Sequence, residues 1–322
     1  MTSALQRFSG AGNAAGAIVL AMTGATACAL AGQGLRRAGR RTPRRASVPA
    51  PGREPVRELH ASAAILSACV LADSAVEHYR GGFENPGMYT PLLVSALGIA
   101  AGIDGATGAR LPRRFRDGVY GLAGVVGLIG AGFHVYNVLR KPGGLSWQNA
   151  FYAAPVGAPA ALSLAGAIGL AANRLNAAPS GEDVTIWGAP AGRVLSALAG
   201  FGLMGSAGEA GLLHFRGSFQ NPFMWLPVTL PPVAGVLLAK AALEPRDKRA
   251  RPLTRGWLAL TAALGVAGVG FHAYGVSRAM GGWRNWSQNV VDGPPLPAPP
   301  SFLALAIAGL AALMLRDRED RR

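Results

Sequence analysis

Charge is what this chain has least of. Only 15% of its 322 residues are charged, where a soluble domain carries roughly a quarter. Cysteine is nearly missing as well. Cys28 and Cys69 are the whole complement, and both fall inside apolar stretches, which excludes a disulfide framework or a zinc-ligand pair. The signatures of soluble catalysis are missing too. The sequence holds no glycine-rich phosphate loop followed by Lys, no Cys-x-x-Cys-His for covalent haem, and no His-Glu-x-x-His.

What the chain does hold is apolar length. Half of it is hydrophobic, gathered into runs at 11–34, 59–78, 88–107, 117–139, 152–172, 190–214, 224–243, 255–277 and 298–315. At 1.5 Å per residue each is long enough to cross ~30 Å of hydrocarbon. The runs do not alternate apolar with polar residues, which argues against a transmembrane barrel. The expectation is an all-α, polytopic integral membrane protein with about nine transmembrane helices. Residues 1–34 have the outline of a cleavable signal peptide. The basic block that follows opposes export, which favours a retained helix.

The net charge of +15 points to topology rather than to nucleic acid. With nine alternating crossings and the N-terminus outside, 24 of the 31 Lys and Arg residues fall on the cytoplasmic side and 7 outside. The clusters Arg36 to Arg45, Arg110 to Arg116, Arg246 to Arg255 and Arg316 to Arg322 all share one side, as the positive-inside rule requires. This distribution places the chain in a bacterial inner (cytoplasmic) membrane, C-terminus inside, with the lipid bilayer as its first partner.

The sequence also repeats itself. DSAVEHYRGGFENPGMYTP at 73–91 aligns with EAGLLHFRGSFQNPFMWLP at 209–227. His78 then meets His214, Arg80 meets Arg216, Asn85 meets Asn221, and Asp73 meets Glu209. A second block sets Gly130, Phe133, His134 and Tyr136 against Gly268, Phe271, His272 and Tyr274. Two tandem four-helix repeats follow, at 59–176 and 194–322, after an N-terminal helix and basic linker over 1–58, with a second linker at 177–193. Four crossings per unit put both copies in parallel orientation, related by a twofold along the membrane normal.

Four of the five histidines belong to this repeat, and the topology sets His78, His134, His214 and His272 near the outer ends of their helices. Imidazoles so placed suit axial ligation of haem b between helices, or coordination of copper or zinc. Gly127 and Gly130 precede His134 on its helix face, as Gly265 and Gly268 precede His272. Such a strip leaves room for a flat macrocycle, although small residues at this spacing also serve close helix packing. Arg80 and Arg216 could pair with haem propionates. Asp73 and Glu209 sit ~7–8 Å deeper by helical rise and are proton-transfer candidates, because a carboxyl in an apolar span is costly.

The leading functional expectation is an electron-transfer or anchoring subunit with one haem b per repeat, passing electrons between an outer, periplasmic redox partner and quinone. Two readings stand beside it. One is a cofactor-free accessory subunit of a larger membrane complex; the other is a proton-coupled small-solute transporter.

Overall fold

A computed structural model describes residues 53–152, 156–179, 184–244 and 250–320. The run at 11–34, Cys28 and the basic block from Arg36 to Arg45 lie outside the described residues, as do 246–249 of the third cluster. Within them the chain is almost entirely helical. In hydrocarbon no water is present to satisfy backbone N–H and C=O groups, so a chain this apolar closes its hydrogen bonds within each segment.

The helices are α1 (Arg53–Arg80), α2 (Thr90–Thr107), α3 (Arg113–Leu139), the short α4 (Trp147–Phe151), α5 (Gly157–Ala177), α6 (Ala191–Arg216), α7 (Leu226–Leu243), α8 (Arg251–Arg278), the short α9 (Trp286–Asp292) and α10 (Pro300–Glu319). A two-residue hairpin, β1 (Thr185–Ile186) against β2 (Ala189–Pro190), lies in the linker between α5 and α6.

Among the described residues six helices are long and apolar enough to cross a membrane: α1, α2, α3, α7, α8 and α10. The runs at 152–172 and 190–214, read from sequence as crossings, become α5 and α6, and neither is among the six. Their position supplies the reason. α5 packs between α1 and α3, and α6 between α7 and α10. Their Ala- and Gly-rich faces meet protein rather than lipid, so they do not need large apolar side chains.

An inner set and an outer set of helices result. The spans of α1 and α10 are 72% and 61% buried, while those of α3 and α8 are each 17% buried. Leu59, Leu66, Leu195, Leu203, Leu305 and Leu313 fill the centre among alanines. Outward, α3 exposes Leu122, Val125, Leu128 and Ile129, and α8 exposes Leu260 and Val266. A continuous apolar exterior of this kind suits lipid rather than water.

The two ends of the bundle differ in chemistry. At one end, α1 and α6 stop in turns that carry His78 and His214. At the other, ion pairs tie the helices. The buried Arg116 binds Asp104 at 2.9 Å, and Arg251 binds Asp317 and Asp320.

Candidate metal centre

After α1 the chain reverses through Gly82 and Phe83, both at positive φ (67° and 48°). After α6 it does so through Ser218 and Phe219 (58° and 45°). A bulky residue in the left-handed region is strained, and here it occurs twice at matching places. Each turn ends on an asparagine that caps the next 3-10 turn. Asn85 accepts from the Gly87 amide at 2.8 Å, and Asn221 from the Phe223 amide at 3.0 Å. The Phe-x-Asn-Pro sequences therefore both reverse the chain and start the following helix.

These turns fix the histidines. Nδ1 of His78 lies 2.6 Å from the Met88 carbonyl oxygen, and Nδ1 of His214 lies 2.8 Å from that of Met224. In α8, Nδ1 of His272 lies 2.7 Å from the Pro295 carbonyl oxygen. A carbonyl only accepts, so Nδ1 donates in all three, and in the neutral ring the lone pair is left on Nε2. Metal-ligating histidines are commonly oriented in this way.

Two of the rings come together. His214 and His272 have centroids 6.5 Å apart and planes inclined at 69°. His134 lies within electrostatic range of His78. Phe83 and Phe219 wall the outer histidines edge-on, each at 6.1 Å. They stack in turn on Tyr89 at 4.5 Å and Trp225 at 4.2 Å. Among the described residues no group of three or more His, Cys, Asp or Glu could hold a metal, so any metal held by these side chains depends on a pair.

The glycine strips face other helices. A Cβ at Gly127 would collide with Ser163 and Pro159 of α5, and one at Gly130 would reach Pro159 at 3.4 Å. A Cβ at Gly265 would lie 2.7 Å from the Leu303 amide nitrogen of α10, and one at Gly268 would lie 2.7 Å from Pro299, that helix's N-cap. The space these glycines leave is thus taken up by α5 and α10.

The arginines find local partners. Arg80 pairs with Glu77 at 2.8 Å. The Arg216 guanidinium lies over the Phe151 ring, 5.0 Å from its centroid. Asp73 and Glu209 are on different halves of the chain yet lie within electrostatic range of each other. The Glu209 carboxylate accepts from the Gly157 amide at the first turn of α5, where the helix N-terminus favours negative charge.

Sequence reasoning passed over one polar site. His60 is fully buried on α1, and its Nδ1 lies 2.9 Å from the buried Tyr120 hydroxyl. Its mark in the sequence is a histidine inside the apolar run 59–78, with no counterpart in the repeat. The chain matches no protein-family model, no curated protein and no solved structure.

Proposed function

We propose that the chain is a membrane electron-transfer or anchoring subunit in which His78 with His134, and His214 with His272, each hold a redox metal. In its specific form the metal would be the iron of haem b, held by these histidines. The observation that carries this reading is the His214–His272 pair. Metal–nitrogen bonds are about 2 Å long, and ring centres 6.5 Å apart leave the two imidazoles near enough to share one metal ion. The Nδ1 contacts leave both Nε2 lone pairs for a metal, and a haem iron held there would supply one-electron chemistry.

The architecture belongs to the same proposal: nine crossings, with two four-helix units in parallel orientation. Its support is recurrence. The His–carbonyl contact, the strained Phe and the Asn cap return in each half. So does the packing, with α1 on α2 and α5, and α6 on α7 and α10. The placement of Lys and Arg supports an orientation with the imidazoles at the outer face of a bacterial inner membrane. Electrons would pass there between an outer redox partner and quinone.

One observation favours a second reading. The filled glycine strips give a macrocycle no room on that face, which suits a cofactor-free accessory subunit. Its docking surface would be the exposed aromatics Tyr89, Trp147, Tyr152 and Trp225. An optical spectrum of the purified protein separates the two. Haem gives a Soret band and, on dithionite reduction, split α and β bands. The accessory reading expects a featureless visible spectrum and no bound metal.

A further inference from the structure

One face of the inner helix α6 stands open. Ala197, Phe201, Met204, Gly205 and Gly208 follow one another at spacings of four, three, one and three residues, which is a single helical stripe. Phe201 is 73% and Met204 46% exposed, and Ala197 is exposed as well. A Cβ at Gly205 or Gly208 would meet nothing within 4 Å. The offset that aligns His214 with His78 sets Ala61, Ile65, Ala68, Cys69 and Ala72 of α1 opposite these residues. There the stripe is closed: Ile65, Ala68, Cys69 and Ala72 are between 3% and 7% exposed.

Packing explains the difference. α10 covers the stripe of α1: Ser62, on the same face as Ile65 and Cys69, donates to the Ala304 carbonyl at 2.8 Å. α5, the counterpart of α10, meets α6 on a neighbouring face instead. A Cβ at Gly202 would lie 3.0 Å from Leu164 there, and Glu209 reaches Gly157. The open stripe also has a poor composition for lipid. α3 turns Leu122, Val125, Leu128 and Ile129 outward, and its open Gly118 and Gly121 sit beside those long side chains. Ala and Gly are the residues by which membrane helices approach one another closely.

The chain itself carries a segment that matches. The apolar run 11–34, outside the described residues, has Ala21, Gly24, Ala25, Cys28 and Gly32 at spacings of three, one, three and four. That is the stripe of α6 read in reverse, with a small residue at every position. Arg36 follows the run, and Arg193 stands in the first turn of α6. Counted inward from these two, Gly32 and Ala197 are each four residues away, Cys28 and Phe201 eight, and Ala21 and Gly208 fifteen. The connection is long enough. α1 and α6 both begin at the ion-paired end, where the Gly192 amide donates to Glu319 at 2.7 Å. Residues 35–52 span up to about 60 Å when extended, against about 10 Å between packed helices.

We propose that the run 11–34 lies antiparallel along the open stripe of α6 and closes the second half where α10 closes the first. Its small residues face Phe201 and Met204, and its glycine and alanines let the two backbones approach at Gly205 and Gly208. The occupant of the stripe is thus the chain's own N-terminal segment. The inference rests on the nine-crossing architecture proposed above and is independent of any metal.

The test is cysteine cross-linking of the full chain in membranes. Cys69→Ala leaves Cys28 as the sole cysteine, and Phe201→Cys adds its partner. A protease site introduced at 46–50 releases the N-terminal piece unless it is joined elsewhere. A disulfide forms only where Cα atoms come within about 7 Å. Oxidation with copper phenanthroline is therefore expected to hold the piece on the rest of the chain. Leu128→Cys, on the lipid face of α3, is expected to let it go. Where Phe201→Cys does not fold, Ala197→Cys, one turn away, takes its place. Release of the piece from the oxidised, folded variants would overturn the docking. So would a cross-linked product of twice the chain mass, which gives the stripe to a second copy. Intact mass of the uncleaved chain keeps this inference apart from the architecture. A chain that lacks residues 1–34 refutes the ninth crossing itself, whereas a full-length chain that releases its piece refutes only the place on α6.

Discussion

Ser218 and Gly82 occupy the same place in the two turns, at φ of 58° and 67°. Glycine adopts that conformation without a Cβ penalty, whereas serine does not. Ser218→Gly is therefore expected to stabilise the second turn by about 0.5–1 kcal/mol, read as a rise in thermal midpoint in detergent. A fall would contradict the turn geometry. The arginines make a sharper contrast. Arg116 and Asp104 are both largely buried, with side chains 4% and 13% exposed. Arg116→Ala leaves a carboxylate unpaired in the interior, at a cost of about 3–5 kcal/mol. Arg80 and Glu77 are 49% and 36% exposed, so Arg80→Ala should cost no more than about 1 kcal/mol. Denaturation of both variants checks the difference, and equal losses would show that burial is not what decides it.

At the scale of helices, the glycines divide into two groups. Gly265 and Gly127 lie against a neighbouring helix, whereas a Cβ at Gly121 or Gly270 would meet nothing within 4 Å. Gly265→Leu should thus cost about 1–3 kcal/mol through overpacking, and Gly121→Ala should be silent in the same melting experiment. If Gly265→Leu left stability intact and removed only a visible chromophore, the strip would be serving a macrocycle instead of α10. Apolar length made the helices legible in the sequence, and each described long helix coincides with one of the runs. Their rank was not legible. The inner position of α5 and α6 follows from which Ala and Gly faces meet, and run length does not carry that information. The pairing of His214 with His272 was readable from the repeat. The contacts of Arg216 with Phe151 and of Glu209 with Gly157 were not, because they join residues from different halves. His60 was passed over because weighting duplicated residues hides a site present once.

The whole molecule has a polar end tied by ion pairs, an end that carries paired imidazoles, and an apolar belt between them. Basic residues concentrate at the ion-paired end, so a reporter fused after Leu315 should be cytoplasmic and one within 80–88 should be outside. Labelling of the 246–255 connection by an impermeant reagent in intact cells would invert that orientation. The central claim, one metal held by each pair of imidazoles, is tested most directly by counting metal and haem per purified chain, in wild type and in His272→Ala. The expected result is about two centres in the wild type and about one in the variant, because sites without shared partners lose ligands independently. A wild-type chain that carries neither metal nor haem, and spectra unchanged by His272→Ala, would contradict it.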